Sequence, residues 1–471
     1  MQTGVKWLRR VLTGLGLLMA IAVMWMWIAP PAMLRVATGY AAKMVCSYTF
    51  LAGRDAQLSM QEDVREQGHP IMRLVSVQAD AVQRTVTARV LGFAGASVAL
   101  ARAGTGCALV TDGEVGQAKM HTAAVPAVAA LPNKGEKGEL WPQGESVALQ
   151  ASVQKLLEDT ALTGPGMRAV VVIKDGRVVA ETYGKGFDAR TPLLGWSMTK
   201  TVTAGLVGTL VRDGKLRLDQ SALFPQWKDD ERRNITLAHL MAMSSGLRFN
   251  EDYGAVTDIT RMLYLEPDTA AFAASQPLDH PPGSFFSYSS GTTVLLSRLW
   301  QNAIDDRQQA LDYPQRALFG PLGMQTAVLE ADARGTFVGS SYLFASGRDW
   351  ARYAQLLLQD GVWNGQTILP PGFVKMMHTA APASMAPYGR REYGQGQVWL
   401  RGSPSGTPKG QDPDAGLVLP AGIYWFSGYD GQAIAVIPSL QLAVVRLGLT
   451  PSKLGFKLQP LVMVTVKAAS Q

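Results

Sequence analysis

The sequence predicts an α+β fold, and three observations carry that prediction. Residues 167–173 and 177–183 alternate like strands and flank Lys174-Asp175-Gly176, a hairpin turn signal. Strand character then returns only late, at 394–400, 422–426, 432–437 and 442–447. Between these two groups the apolar residues recur at helical spacing, at 235–247, 292–303 and 341–358 among others. A chain that begins and ends in strands with helices between them closes its first and last segments into one sheet.

Taken in order, the chain opens on a distinct segment. Residues 11–29 carry no charge and as a helix would span roughly 28 Å, enough for a bilayer core. Lys6, Arg9 and Arg10 precede the run, and Trp25 and Trp27 lie at its far end as interfacial aromatics do. Residues 1–30 are therefore expected to anchor the chain in a membrane, with everything after them exported. A cleaved signal peptide is the rival reading. The apolar run is long for one, and residues 30–34 offer no good small-x-small cleavage site.

Export bears on the cysteines. Cys46 and Cys107 are the only two, and an oxidising compartment would let them form a disulfide. Residues 71–77, 85–90 and 98–102 alternate like strands, so 31–130 is expected to be a small β-rich region. Residues 131–145 are polar and Gly-rich and read as a linker. The main domain is expected over 146–471, starting with an amphipathic helix at 146–159.

Chemistry concentrates at Ser197-Met198-Thr199-Lys200. Apolar residues at 202, 206, 207, 210 and 211 follow it, so Ser197 and Lys200 sit one turn apart on the same face at a helix start. A serine hydroxyl is a poor nucleophile until a neighbouring base takes its proton, and a buried, uncharged lysine can do so. This is the Ser-x-x-Lys pattern of serine acyl-transfer enzymes. A second match, Ser152-Val153-Gln154-Lys155, lies in a polar stretch with no supporting context. No Gly-x-Ser-x-Gly elbow occurs, which sets aside a Ser-His-Asp arrangement on that scaffold.

Five motifs in order, Ser197-Met198-Thr199-Lys200, residues 240–247, Tyr288-Ser289-Ser290, Ser346-Gly347-Arg348-Asp349 and Gly428-Tyr429-Asp430-Gly431-Gln432, resemble the landmarks of the serine β-lactamase-related hydrolases. The nearest branch is the class C-like esterases and 6-aminohexanoate-dimer hydrolases. The resemblance implies a β-lactamase/transpeptidase-like fold, an antiparallel sheet flanked by helices plus a helical subdomain. It also implies acylation of Ser197, Lys200 as base and Tyr288 as proton partner. The backbone N–H groups of Ser197 and Gln432 would form the oxyanion hole. Tyr253, Ser290, Tyr429 and Gly431 fall at substrate-facing positions. Two departures stand out: Ser290 replaces the Asn of Tyr-x-Asn, and Tyr429-Asp430-Gly431 replaces Lys-Thr-Gly. Together they argue against carboxylate-bearing β-lactams and for a small ester or amide substrate. A cell-wall peptidase or β-lactamase, and a non-catalytic penicillin-binding-like module, are the alternatives. For a protein of this family the anchor places the chain in a bacterial inner membrane, single-pass, with its catalytic domain in the periplasm.

Composition excludes other classes. The net charge of +7 includes the three basic residues of the leader, and no later Lys/Arg cluster interleaves with aromatics, so no nucleic-acid partner is expected. Five histidines and two cysteines do not support a metal site, and the expected chemistry needs no cofactor.

Overall fold

The computed structural model describes residues 2–66, 68–125, 138–385, 392–408 and 410–469. Two helices open the chain, α1 (Gln2–Ile28) and α2 (Ala32–Phe50). The uncharged run lies within α1, yet among the described residues no helix is long and apolar enough to cross a membrane, so the expected transmembrane anchor finds no support there. Four antiparallel strands follow, β1 (Val75–Asp80), β2 (Thr85–Val90), β3 (Ala94–Arg102) and β4 (Gly106–Leu109). The segment expected to be β-rich also holds a long helix. Its Val36, Ala37, Ala41, Met44 and Val45 are buried. Helix α2 lacks the clean polar face of a surface helix because neighbours cover most of it, and that obscured its period.

The central sheet is built from both ends of the main region. Strands β5 (Met167–Lys174) and β6 (Arg177–Tyr183) form the expected hairpin. Helices α3 (Thr199–Arg212), α4 (Ser290–Asn302) and α5 (Gly347–Leu358) lie between them and the late strands β7 (Tyr424–Ser427), β8 (Ala433–Ile437) and β9 (Leu442–Gly448). The sheet order is β7-β8-β9-β5-β6, and β9 pairs antiparallel with β5 through Val444↔Val172 and Val445↔Val171. The first strand therefore closes against the last, as expected. Residues 394–400 contribute only isolated bridges, Ala380↔Gly394, Tyr393↔Trp399 and Trp399↔Trp425.

Alternation along β5 divides the core. Ala169, Val171 and Ile173 join the large core with α5, while Val170 and Val172 face a second layer with Leu461 and Val462 of α6 (Gln459–Ala469). With both faces covered, these strands read as an apolar run, and each fully buried valine contributes about 1.5–3 kcal/mol.

The N-terminal region is fastened to this domain by polar contacts as well as packing. Lys43 Nζ lies 2.5 Å from Glu330 Oε2, both side chains buried, and Ser47 Oγ and the Cys107 N–H also bond Glu330. The Arg102 guanidinium donates to the carbonyls of Ala331 and Asp332. Cys46 and Cys107 are bridged, which ties α2 to β4. The expected linker falls partly on residues 131–137, outside the described residues. Within the rest of it Trp141 is fully buried and Glu145 pairs with Arg348 and Arg352.

Candidate active site

The turn before α3 is forced into shape by close packing. Trp196 adopts φ 48°, a left-handed conformation uncommon for a large side chain and frequent where a site holds backbone strain. Gly195 lies so close to Trp350 that a Cβ there would meet the ring at 2.1 Å. Only glycine permits this approach, which delivers Ser197 to the N-terminus of α3 with its side chain partly open. Residues 199–210 of α3 are all buried, so Lys200 points inward and is 1% exposed.

Three contacts hold the Lys200 amine. Its Nζ is 3.1 Å from Ser197 Oγ, 3.0 Å from Ser290 Oγ and 3.0 Å from the Ser340 carbonyl oxygen. It also lies over the Tyr288 ring, 4.8 Å from the centroid, in a cation–π position. Tyr288 is itself stacked on Trp399 at 5.1 Å. Behind Ser290 stands a carboxylate. Ser290 Oγ donates to Glu251 Oε1 at 2.5 Å, and the Ser290 N–H, at the start of α4, donates to Oε2 at 2.8 Å. Burial raises the Glu251 pKa above its ordinary value, with Lys200 and the Ser290 bonds opposing the shift.

The opposite wall is the turn between β7 and β8. Gly428 approaches the Ser197 turn closely, since a Cβ on it would lie 2.3 Å from the Gly195 carbonyl oxygen. Gln432 Oε1 accepts from the Gly448 N–H at 2.9 Å, and its Nε2 donates to the Gly448 carbonyl oxygen. These bonds turn the Gln432 side chain into the sheet. Its N–H has only a long contact, 3.5 Å, to the Tyr429 carbonyl oxygen. A pocket of about 400 Å³ lies between the walls, lined by Ser197, Tyr253, Tyr288, Tyr429, Gly431 and Gln432 among others.

The geometry gathers the residues expected from sequence. Ser197, Lys200, Tyr288 and Ser290 meet directly, Gln432 and Gly431 face them, and Tyr253, on a loop, packs obliquely on Tyr429 at 5.5 Å. Ser152 and Lys155 of the second Ser-x-x-Lys match are exposed and remote from these contacts. Arg390 and Arg391, candidate substitutes for the missing motif lysine, lie outside the described residues. Arg401, a third candidate, is near Glu392 and Asp412 and is not among the pocket's lining residues. Glu251 is the residue sequence reasoning missed. It sits in a loop without periodicity, and its partner lies 39 residues further on. Its only sequence signal is its place two residues before Tyr253.

A five-stranded antiparallel sheet with a serine and a buried lysine one turn apart defines the class of active-site-serine acyl-transfer proteins. The Beta-lactamase family model matches residues 153–452, and the chain belongs to that family. Its relatives include a D-aminopeptidase of Gluconobacter oxydans (strain 621H), 30% identical over 208 residues, covering 40% of this chain and 37% of the relative. A D-aminopeptidase of Cereibacter sphaeroides (strain KD131) is 31% identical over 185 residues, 36% of this chain and 34% of the relative. The chain thus spans little more than a third of the curated relatives it matches. A Bacillus anthracis structure named for a proposed 6-aminohexanoate-dimer hydrolase superposes with TM-score 0.53 at 21% identity, over 69% of this chain and 85% of its own. A Bacteroides dorei structure named for a proposed β-lactamase gives TM-score 0.53 at 21% identity, over 68% and 98%. Both likenesses concern the fold.

Proposed function

We propose that the protein is a serine hydrolase that cleaves a carboxylic ester or amide through an acyl-enzyme on Ser197. The observation that carries this reading is how the contacts of Lys200 are shared out. When Lys200 sheds its extra proton to act as base, its amine has two N–H donors and one lone pair. The Ser340 carbonyl can only accept, and Ser290, whose own proton goes to Glu251, is left to accept as well. The lone pair then falls to the Ser197 hydroxyl, 3.1 Å away. Lys200 takes that proton as Ser197 Oγ attacks the carbonyl carbon, and the N–H groups of Ser197 and Gln432 hold the oxyanion. The proton returns to the leaving group, with the Tyr288 hydroxyl as the expected carrier, and water then releases the acyl group from Ser197. The D-aminopeptidase names among the relatives support including amides beside esters in this reading. Neither lysine nor arginine is among the described residues lining the pocket, so none of these would pair the carboxylate of a β-lactam or a cell-wall peptide.

A fluorophosphonate probe tests the reading. It is expected to attach at Ser197, to be lost in Ser197→Ala and to slow about a hundredfold or more in Lys200→Ala. Undiminished labelling of Ser197→Ala would end the assignment. Export to a bacterial periplasm belongs to the same proposal. The Cys46–Cys107 bridge and the basic residues before the uncharged run support it, whereas membrane attachment through α1 rests on the sequence pattern alone. Free thiols at both cysteines in protein taken from intact cells would refute export.

A further inference from the structure

In the proposed reaction the Gln432 N–H is one of two oxyanion donors, and the group that holds its peptide lies on the other face of the sheet. That group is Arg446, on β9 opposite Ala433 of β8. Its neighbours Val445 and Leu447 join the core that includes α3, whereas Val444 faces the layer of α6. Side chains alternate along a strand, so Arg446 reaches the turn from the face opposite α3.

Arg446 is fully buried, and among the described residues it has no ion pair with a carboxylate. Its guanidinium fans out to four neutral oxygens instead. Nε donates to the Thr163 carbonyl at 3.2 Å and Nη1 to the Gly431 carbonyl at 2.9 Å. Nη2 donates to the Pro165 carbonyl at 2.9 Å and to Thr450 Oγ1 at 2.6 Å. Burial pulls the Arg446 pKa down to about 9, with Arg168 adding to the shift, so the guanidinium is still charged at neutral pH. A cation buried without a counter-charge is costly, which points to a task beyond packing.

The task lies at Gly431. The Gly431 C=O and the Gln432 N–H belong to one planar, trans peptide unit, so they point in opposite directions. With the carbonyl held towards Arg446, the N–H is turned away from it. Gly431 and Gln432 line the catalytic pocket, and Arg446 does not. A charged donor on the carbonyl also draws electron density from the peptide and strengthens its N–H, as hydrogen bonds in a chain polarise one another at low dielectric. The preceding peptide is held by the same group, because Thr450 gives its N–H to the Asp430 carbonyl at 2.8 Å. Glycine at 431 and 448 leaves room for the cation, since a Cβ on either would come within 2.9 Å of Nη1. The side chains of Tyr429 and Asp430 take no part in these contacts.

We propose that Arg446 is a positioning residue for acylation, which through the Gly431 carbonyl orients and polarises the peptide whose N–H holds the oxyanion. The proposal rests on the hydrolase reading, in which negative charge develops on the substrate's carbonyl oxygen as Ser197 attacks.

The test compares kcat/KM for p-nitrophenyl acetate and for its thiono analogue, whose carbonyl sulfur accepts hydrogen bonds poorly. It uses the full chain and its Arg446→Lys and Arg446→Gln variants, with melting curves to establish that each is folded at the assay temperature. Arg446→Gln should lose about ten- to a hundredfold on the oxygen ester, short of the hundred- to thousandfold that follows removal of a whole oxyanion donor. The thiono ester should lose much less, so the oxygen-over-sulfur ratio falls. Arg446→Lys keeps the charge but not the fork, and its ratio should lie between the other two. A folded variant of either kind with the ratio of the unmodified protein, including one that slows both esters equally, would reduce Arg446 to scaffolding and overturn the proposal. Should Arg446→Gln fail to fold, the Arg446→Lys ratio decides on the same terms. Failure of the unmodified protein to hydrolyse the ester and to label at Ser197 would overturn the hydrolase reading, and the proposal with it. An unchanged ratio in an active protein would overturn the proposal alone.

Discussion

The two walls of the catalytic pocket are built on opposite terms. On the Lys200 wall, nearly every polar atom has a partner: Ser197, Ser290, Glu251 and the Ser340 carbonyl form one connected chain around a buried amine. On the Tyr429 wall, Asp430 sits at φ 54° with its carboxylate unpaired among the described residues, and Tyr429 is half exposed. Satisfied networks fix geometry, while unsatisfied groups at a cavity await a ligand. The contrast assigns bond-making to the first wall and recognition to the second. It also accounts for where the family's motifs change. Ser290 stands in for an asparagine and recruits Glu251 as support, whereas Tyr429 stands in for a lysine and no cation among the described lining residues replaces the charge.

The largest effect expected on the first wall, apart from the loss of Ser197 or Lys200 themselves, comes from Glu251. If its task is to keep Ser290 accepting from Lys200, Glu251→Ala frees the Ser290 proton to occupy the lysine lone pair. Fluorophosphonate labelling of Ser197 should then slow about ten- to a hundredfold, the scale of a charge-assisted hydrogen bond. In a Ser290→Ala background there is no hydroxyl to misdirect, and Glu251→Ala should add little. A double-mutant cycle therefore separates the relay from simple scaffolding. Equal losses in both backgrounds would make Glu251 a loop support and nothing more.

Legibility of the sequence followed this same division. The β5–β6 hairpin, the late strands and the Ser197 helix carried local signals, an Asp-Gly turn, alternation and helical spacing, and each formed close to where it was read. The resemblance added Tyr288, Ser290 and Gln432, which no local pattern marks. Helix α2 was not legible, because neighbours bury most of its sides and erase its period. Glu251 was not legible either, since its role depends on a loop reaching the start of a helix far along the chain. Residues 394–400, with strand-like alternation, pair only at isolated bridges because β7 meets them at Trp399↔Trp425 alone.

The second wall makes a smaller and more selective prediction. With Tyr429 where the family pattern has lysine, β-lactam acylation should be slow beside hydrolysis of short p-nitrophenyl esters. Tyr429→Lys should raise nitrocefin acylation relative to ester acylation by about tenfold, the lower end of a charge-assisted bond. The gain is placed at the lower end because Asp430 would compete for the new ammonium. Efficient nitrocefin turnover by the unmodified protein would contradict the assignment of recognition to this wall.

The smallest effect expected is on stability, and it isolates the unpaired carboxylate. Burial raises the Asp430 pKa to about 7, with Arg168 opposing. An unfolded aspartate titrates near 3.9. Between those two values the folded protein binds the extra proton, so this group's contribution falls as pH rises through the window and is least favourable above pH 7. Asparagine does not titrate and also tolerates a left-handed backbone better than most residues. The backbone benefit is the same at every pH, whereas the charge benefit is confined to the upper part of the window. Asp430→Asn should therefore raise the melting temperature by a few degrees at pH 8, and the difference between the two proteins should shrink steadily towards pH 4. Taking the difference cancels the other groups that titrate over this range. A gain that is the same at pH 4 and pH 8 would locate the whole cost of Asp430 in its backbone, and a loss at pH 8 would mean that the carboxylate has a partner that stabilises it.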